Sequence, residues 1–566
     1  MAALKIPRST SPHGNQPKAK AGGWDAAIFI IFVEVAERFA FNGLASNLIT
    51  YLTEELQEAN STAVKNVNTW LGVSYLFPML GAYIADSFLG RFNIILVASI
   101  IYCTGMTLLA TSVSIILPLH RRKALFFTAL YIIAVGEGGH KPCVQTFAAD
   151  QFDEDLPEEF KKAKSSFFNW WYLGISIGAT SSTLVVVYMI EDISWAVGFG
   201  ALAAAMAWSL LVFLLGLKRY RKQGPLGSPF TTVAQVLMAA ACKWRVEQTT
   251  GVLGVCCDPE RPGWIHMKDG RRQTKGRTTL VHSNQLRLLD KATIIDDVDA
   301  SSRNPWRLCS LNQVEEVKLV LRLIPIWLCS LMFAVDAANF QTYFTKQGST
   351  MNRAIGPHFQ LPAASFQALL GITVMVVVPV YDRVLVPIAR RFTGHLSGIT
   401  LLQRIGIGLF LSSLNMAVSA VVEAKRVSVA KEHNLLDSPK AMVPMLVWWL
   451  LPQYILSGLA DVFMLVGLQE LFYAQMPESM RSLGAAAFVS VGGVGSFASS
   501  AVISIVQAIS SSCGEKWLGN NLNRAHLDYF YWVLAGMSAL NLCVYIAIAR
   551  RFMYKKVEGD DINILD

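Results

Sequence analysis

The feature that most constrains this chain is a series of apolar segments, each long enough to cross a bilayer, that recurs from residue 26 to residue 550. A hydrocarbon core of about 30 Å is spanned by about 20 residues of helix. Open sheets cannot cross lipid because their edge groups would lack hydrogen-bond partners. The sequence therefore predicts an all-α membrane protein with twelve transmembrane helices, near residues 26–51, 69–86, 93–118, 124–147, 166–189, 193–217, 316–344, 363–389, 398–423, 441–472, 482–510 and 527–550.

Composition supports a lipid environment. Hydrophobic residues make up 53% of the chain and charged residues 16%, whereas soluble proteins have about 25% charged residues. The net charge of +9 is typical of basic cytoplasmic loops, and we prefer this explanation to a nucleic-acid partner. The nine cysteines form no C-x-x-C pair, so we expect neither a disulfide framework nor a metal site, and no cofactor.

A single long polar stretch divides the spans six and six. We expect an N-terminal tail (1–25), a first six-helix half (26–217), a central loop (218–314), a second half (315–550) and a C-terminal tail (551–566). The N-terminal tail lacks an apolar core with a cleavage site, so no cleavable signal peptide is expected.

The charge distribution predicts the orientation of the bundle. The central loop has sixteen Lys and Arg against eight Asp and Glu, a net charge of +8. Because cytoplasmic loops are enriched in basic residues, we expect this loop and both tails to be cytoplasmic. The acidic Glu54, Glu55 and Glu58 then lie outside. The basic run 121–123 falls on the same outer side and departs from the rule.

Three further expectations concern the loops. Within the central loop, residues 227–244 suit an amphipathic helix, on the membrane surface or against the bundle, in an otherwise partly disordered linker. Asn60 begins an N-x-S/T sequon on the outer side, and whether it is glycosylated is left open. A regulatory kinase acting on the cytoplasmic loops is a further expected partner, beside substrate, protons and the bilayer.

Three charged residues lie inside the first span. Glu34, Glu37 and Arg38 occupy one helical face. Because a charge at mid-bilayer costs about 2.5 to 3.5 kcal/mol, these groups should pair and face a wet cavity. A carboxylate that leaves the Arg can take up a proton, so the sequence predicts a proton-coupling site. The alternative is a purely structural ion pair between helices.

Two other regions carry charge near the helix ends or at depth. Asp86 and Arg91 flank Gly90 in a short turn between the second and third spans, and we expect them to hold neighbouring helices together on the cytoplasmic side. In the fourth span, Glu137, His140 and Lys141 lie beside Gly-Gly and Pro residues that should loosen the helix.

Lys141 needs a partner at depth, and the second half offers acids. Glu470 in span ten lies at a similar depth, so we predict a Lys141–Glu470 pair across the halves. Asp336, with Asn339 and Gln341, makes span seven locally polar. Asp336 is either a cavity group or a helix-end carboxylate in a wet outer vestibule.

Several motifs in order resemble the plant nitrate and peptide transporter family, within the proton-dependent oligopeptide transporter group of the major facilitator superfamily. They are E-x-x-E-R at 34–38, GAYIADSFLGRF at 81–92, EGGHKPCVQTFAADQFD at 137–153, FFNWWY at 167–172, YDR at 381–383, LLQRIGIG at 401–408 and GLQELFYAQMPESMRS at 467–482. The resemblance implies two six-helix halves, proton-coupled symport through Glu34, Glu37 and Arg38, and a Lys141–Glu470 pair at the gate and central cavity.

Ala337 departs from the pattern expected for nitrate. It stands where a nitrate-carrying member has an anion-contacting histidine, and the neighbouring Asp336 would repel anions unless protonated. We expect a proton-coupled symporter of a small nitrogen-containing or anionic solute, such as nitrate, in the plasma membrane or the vacuolar membrane. A carrier of peptides, hormones or specialised metabolites, and a membrane sensor without transport, remain alternatives. The metalloprotease motif H-E-x-x-H is absent, and we do not expect an enzyme.

Overall fold

A computed structural model of the chain describes residues 22–152, 157–222, 224, 229–244, 283, 285–294, 304–356, 359–393, 399–439, 441–477, 480–512 and 517–554. Within these ranges only the backbone is described for residues 157–170, 172, 173 and for single positions that include Asp86 and Asp382.

Fifteen α-helices form the described architecture: α1 (Trp24–Glu54), α2 (Asn60–Ile84), α3 (Arg91–Ser114), α4 (Leu119–Ala149), α5 (Pro157–Asp192), α6 (Trp195–Leu215), α7 (Pro229–Cys242), α8 (Leu311–Ala337), α9 (Tyr343–Ser349), α10 (Ala368–Val380), α11 (Val386–Thr393), α12 (Leu401–Glu432), α13 (Leu451–Gln475), α14 (Arg481–Ser512) and α15 (Leu527–Ala549). Short 3₁₀ segments (Arg287–Thr293, Ala363–Gln367, Val447–Leu450) and π turns (Ala85–Leu89, Tyr381–Leu385) adjoin them. Four short strands, β1 (Met351–Asn352), β2 (Ala354–Ile355), β3 (Phe359–Gln360) and β4 (Val443–Leu446), pair as β1 with β4 in parallel and β2 with β3 antiparallel.

Twelve of these helical units correspond to the predicted spans. In the described residues, nine are long and apolar enough to cross a membrane. The other three, α1, α2 and α4, are 31, 25 and 31 residues long, and they contain the in-span charges and polar residues that dilute their hydropathy. The fold class predicted from the sequence is confirmed. Some bounds were wrong, because α2 already begins at Asn60, and the eighth span is built from α10, a π turn and α11.

The two halves meet closely at one end of the bundle. An even number of spans places Gly22 and Tyr554 at the same end, here called the terminal end, and the other is the distal end. At the distal end Asn60 Nδ2 donates to the Asn520 carbonyl over 2.9 Å, and Lys65 Nζ donates to Gln507 Oε1 over 3.1 Å. Deeper in the bundle, the buried Asn68 donates to Ser499 over 3.2 Å. These contacts join α2 to α14 and its following loop.

The distal end also accounts for the basic run that departs from the charge rule. Arg122 lies 3.8 Å from Glu55, and Lys123 lies 3.6 Å from Glu58. The basic and acidic residues that the sequence placed on one side therefore neutralise each other. Nearby, Lys346 of α9 reaches Glu54 of α1 across the halves at 3.4 Å. Burial lowers the pKa of the Lys346 ammonium, and the Glu54 carboxylate opposes that shift.

A buried arginine organises the distal end of the second half. The Arg426 guanidinium donates hydrogen bonds to both carboxylate oxygens of Glu423, over 2.6 and 2.8 Å. Its other N–H groups donate to Asn523 Oδ1 at 2.8 Å, the Leu522 carbonyl at 2.7 Å and Thr350 Oγ1 at 3.2 Å. All five guanidinium donors are thus used. The network ties α12 to the loop before α15 and to the residues after α9.

Glycines set the close packing of α2, α3 and α4. A Cβ atom on Gly81 would lie 2.1 Å from the Gly138 carbonyl oxygen, and one on Gly136 would lie 2.7 Å from the Tyr102 backbone. Pro142 has no N–H with which to bond that Gly138 carbonyl. Gly and Pro residues do not interrupt the fourth span, because α4 runs without a break from Leu119 to Ala149. The glycines therefore allow α2, α3 and α4 to pack closely against each other.

Part of the central loop is packed against the bundle. Val236 and Ala239 of α7 share a core with Leu289, Val314 and others, and the core extends to the start of α14. For residues 229–244, the part of this segment that the structure describes, the alternative in which it lies against the bundle is therefore the observed one. Phe230 also meets Tyr83 of α2 edge to face, with ring centroids 5.9 Å apart. The stretches 245–282 and 295–303, expected to be linker, lie outside the described residues.

A buried lysine fixes this docking. Lys318 of α8 is fully buried and lies 2.6 Å from Asp290 and 2.8 Å from Glu315. Its ammonium also donates to the Ser283 carbonyl over 3.1 Å. The central loop is therefore attached to the second half by charge as well as by apolar contact.

A buried charged cluster as candidate functional site

The predicted face of α1 carries a compact ionic group. Arg38 Nη2 and Nε each lie 2.8 Å from Glu34 Oε1, and Arg38 Nε lies 3.4 Å from Glu37 Oε2. Glu34 is 2% exposed and Glu37 fully buried. The spacing of four residues brings Arg38 over Glu34 by helix geometry. Glu37 thus has the longer contact with the guanidinium.

The fourth span brings its own ion pair to the same place. Lys141 Nζ lies 2.7 Å from Glu137 Oε1, one helical turn away. The ammonium also lies 4.6 Å from the Phe41 ring centroid and 4.4 Å from that of Tyr75. Glu137 is fully buried, and its Oε2 has no hydrogen-bond partner among the described residues. Lys141 is therefore held by one carboxylate and two aromatic faces.

Together these residues form what we call the charged cluster: Glu34, Glu37, Arg38, Glu137 and Lys141. It contains three carboxylates and two cations. Fully ionised, it would carry one uncompensated negative charge in a buried site, which is costly. Binding one proton removes that charge. The arrangement can therefore hold a proton, and it can change which ion pairs form when the proton moves.

Two neutral groups border the charged cluster. The Tyr102 hydroxyl of α3 donates to Glu37 Oε1 over 3.5 Å. His140 is fully buried beside it, with its ring at right angles to the Tyr102 ring and the centroids 6.4 Å apart. Neither ring nitrogen of His140 has a hydrogen-bond partner among the described residues.

The predicted Lys141–Glu470 pair is wrong for this conformation. Glu470 is half exposed, and its Oε2 lies 3.4 Å from Arg404 of α12. Arg404 in turn stacks over the Tyr381 ring at 4.4 Å. Lys141 takes Glu137 instead because a carboxylate four residues earlier is already within reach. Three of the motifs noted in the sequence, at 381–383, 401–408 and 467–482, therefore meet around Arg404.

The acid of span seven, Asp336, is buried and does not face a water-filled vestibule. Asp336 is 3% exposed, and its Oδ2 accepts hydrogen bonds from Ser412 and Ser538, each at 2.7 Å. Asn339 is buried and donates to backbone carbonyls of its own helix. Of the two alternatives for Asp336, a carboxylate in a wet outer vestibule is therefore not the one observed. Ala337 is exposed and Gln341 half-buried.

Near Gly90, Arg91 contacts an acid that the sequence did not single out. Gly90 has φ +75°, a left-handed conformation that favours glycine, and it starts α3. Arg91 then lies 2.5 Å from Asp150, which follows the last residue of α4. The side chain of Asp86, the acid predicted for this role, lies outside the described residues.

For several residues of the site, the sequence did not predict a role. Glu137 was noted without a role, although its spacing of four residues from Lys141 is the signal for a pair within one helix. Tyr102, Ser412 and Ser538 had no sequence signal, because their roles depend on helices distant in the chain.

Among the described residues no group of three or more His, Cys, Asp and Glu side chains could hold a metal ion.

Comparison with known proteins identifies relatives of this chain. The family model described as "POT family" matches residues 92–519. The Arabidopsis thaliana protein NRT1/PTR FAMILY 5.4 is 54% identical over 548 residues, covering 97% of this chain and 98% of its own. NRT1/PTR FAMILY 5.10 from the same organism is 46% identical over 565 residues, covering 97% of each chain.

Solved structures are similar in fold. A crystal structure of an auto-inhibited POT family peptide transporter superposes with a TM-score of 0.68 at 22% identity, covering 93% of this chain and 97% of its own. The POT family transporter PepTSo superposes with a TM-score of 0.67 at 22% identity, covering 95% and 99%.

Proposed function

Because this chain belongs to the POT family of membrane transporters, we propose that it is a proton-coupled symporter of a small nitrogen-containing or anionic solute. The observation that carries the proposal is the charged cluster. Its three carboxylates outnumber its two cations by one, so that binding of one proton makes the cluster neutral. A purely structural ion pair would need only balanced charges. Arg38 and Lys141, with side chains 15% and 11% exposed, supply positive charge to the substrate.

Alternating access is supported by where the halves touch. The contacts of Asn60, Lys65 and Asn68 with the second half lie from mid-bundle to the distal end. Towards the terminal end, Lys141 and Glu470 have separate partners. We propose that this conformation admits substrate from the terminal end, which we assign to the cytoplasm. In the reverse conformation, Lys141 meets Glu470 and closes that end.

Nitrate is one candidate substrate, and peptides, hormones or specialised metabolites are the alternative. Ala337 is exposed on α8 and brings no charge-switching side chain, which weakens the case for nitrate. Asp336 weakens it less than the sequence suggested, because its carboxylate is turned toward Ser412 and Ser538. Several solved relatives are titled as peptide transporters, which supports testing peptides beside anions. A sensor without transport is the proposal's remaining competitor.

The test is uptake into proteoliposomes under an imposed proton gradient, with a panel of nitrate, di- and tripeptides, and small organic anions. We expect at least one solute to accumulate above its external concentration, and an ionophore that collapses the gradient should abolish this. Binding without gradient-dependent accumulation of any panel member would instead support a sensor.

The cellular setting is part of the proposal. The protein is an integral multi-pass membrane protein, and we place it in the plasma membrane or the vacuolar membrane. Regulation by a kinase acting on the cytoplasmic loops stays a prediction.

A further inference from the structure

We infer that Glu137 is a second proton-accepting carboxylate of the transport cycle, which holds Lys141 in this conformation and must take up a proton before Lys141 can leave. This inference rests on the proposed proton-coupled function and adds to it a residue and a step. It stands on the contacts within the charged cluster.

The contacts rank the three carboxylates in this conformation. Glu34 has two contacts of 2.8 Å with Arg38, and Glu137 has one of 2.7 Å with Lys141. Glu37 has only a 3.4 Å contact with Arg38 and a 3.5 Å hydrogen bond from Tyr102. Glu37 therefore has the weakest ion pairing of the three carboxylates. Glu137 supplies the charge that balances Lys141.

The balance changes when Lys141 leaves. Without the lysine, three carboxylates face the single cation Arg38, so neutrality requires two protons. Glu137 is then fully buried without an ion-pair partner of its own, because Arg38 is engaged by Glu34 and Glu37. Its Oε2 is already without a hydrogen-bond partner among the described residues. A buried carboxylate that loses its paired cation is destabilised unless it is protonated. Departure of Lys141 is thus coupled to uptake of one proton by Glu137.

Among the described residues around Glu137, no lysine or arginine other than Lys141 is free of another carboxylate. The helix α1 brings Glu34, Glu37 and Arg38, and Arg38 is already engaged. From α2 comes the Tyr75 ring and from α3 Tyr102, while α4 itself adds His140. In residues 483–512 of α14 there is no acidic or basic side chain. Lys141 is therefore the group whose position decides the charge of Glu137.

The experiment measures the conformational equilibrium directly and needs no substrate. Cysteines at Asn60 and Asn520, which touch at the distal end, are cross-linked with a short bifunctional thiol reagent at neutral and acidic pH. The exposed Cys242 and Cys543, together with Cys256, Cys257 and Cys513, are changed to Ser. Proteins that carry only one of the two introduced cysteines control for other cross-links. A protease site inserted between residues 250 and 270 separates the halves on a gel.

Because the thiolate is the reactive form and becomes scarcer at acidic pH, each cross-linking yield is divided by the labelling yield of the control proteins at the same pH. In the wild-type background we expect this corrected yield to fall several-fold from neutral to acidic pH, as protonation of Glu137 releases Lys141 and opens the distal end. Glu137→Gln should give the low yield already at neutral pH. Glu137→Asp, which keeps a titratable group, should retain the pH response, and a monodisperse elution profile verifies folding of both variants.

The outcomes separate the two proposals. If Glu137→Gln responds to pH with the same yields as the wild-type background, Glu137 has no proton-accepting role, while proton coupling through Glu37 stands. If the wild-type background itself shows no response to pH, the proposed proton-coupled function fails, and this inference fails with it.

Discussion

Single residues in this protein are stabilised by pairing inside apolar surroundings, and Arg426 is the fullest case. A buried charge is tolerated when every donor and acceptor has a partner. Arg426 meets this condition with two bonds to Glu423 and three to other groups. Asp336 meets it only in part, since its Oδ1 has no hydrogen-bond partner among the described residues.

Replacing Arg426 should therefore destabilise the protein strongly. Arg426→Leu leaves Glu423 buried and unpaired, and we expect a loss of about 3 to 5 kcal/mol. Size-exclusion chromatography after graded heating of the detergent-solubilised protein measures it. Arg524→Ala is the matched control, because its pair with Asp437 is exposed and worth about 0 to 1 kcal/mol.

A second variant tests whether the unpaired charge of Glu423, and not the altered packing, destabilises Arg426→Leu. Glu423→Gln together with Arg426→Gln removes both charges, so it should be more stable than Arg426→Leu alone. Equal melting of Arg426→Leu and Arg524→Ala would mean that the buried network contributes little.

At the scale of elements, close helix packing in the first half depends on glycine. Gly81 of α2 lies against the backbone of Gly138 in α4, so a methyl group at this position has no room. Gly200 of α6 has nothing within 4 Å of where its Cβ would be. The two positions form a natural pair for comparison.

We expect Gly81→Ala to lower stability by about 1 to 3 kcal/mol through overpacking, and to push α4 with Lys141 away from α2. Gly200→Ala should be neutral or slightly stabilising, since alanine favours helix. Thermal melting of both variants checks this, and a neutral Gly81→Ala would refute the close approach.

The docked central loop is the second element-scale feature. Lys318 neutralises Asp290 and Glu315 in a buried site, so Lys318→Met should release residues 286–294. Lys291→Met is the control, because Lys291 is only half-buried and, among the described residues, its ammonium donates to the Trp244 carbonyl over 2.6 Å and to no carboxylate. Hydrogen–deuterium exchange of a peptide covering 286–294 should quicken many-fold in Lys318→Met alone. Unchanged protection would show that apolar contacts of α7 suffice.

The element-scale outcomes also mark how far the sequence could predict this structure. Length and hydropathy of the apolar segments were enough for twelve helices, because the bilayer imposes both. The Glu34, Glu37 and Arg38 face followed from helix periodicity. The partner of Lys141 did not, because which acid lies within its reach depends on packing. For α4, Gly and Pro suggested a break, whereas neighbouring helices stabilise its continuous form.

The whole molecule consists of two six-helix halves joined closely at the distal end, with a central loop that contacts both. Phe230 of α7 meets Tyr83 of the first half, while Lys318 anchors the loop to the second. The loop is thus placed to follow movement of one half against the other.

Orientation is a testable property at this scale. Both tails and residues 218–314 should be cytoplasmic, because the spans are even in number and the basic charge is concentrated in that loop. Protease added to inside-out vesicles should cut the loop between residues 245 and 282, and right-side-out vesicles should protect it. The reverse pattern would overturn the assignment of the terminal end.

The central claim is that the charged cluster couples proton entry to solute movement. Glu37→Gln fixes a neutral form of almost the same volume at the carboxylate with the weakest ion pairing, so folding should survive. The variant should reach the membrane and still exchange labelled for unlabelled solute, with loss of acid-driven accumulation. Arg38→Ala should be more damaging, since it leaves Glu34 buried without its cation.

The most direct measurement is uptake of the solute identified in the proteoliposome panel, against its own gradient, at acidic and at neutral external pH, in wild type and Glu37→Gln. We predict that wild type concentrates the solute more at acidic pH and that Glu37→Gln does not concentrate it at either. If Glu37→Gln still concentrates the solute in a pH-dependent way, the charged cluster is structural and the proton is carried elsewhere, with Asp336 the next residue to test.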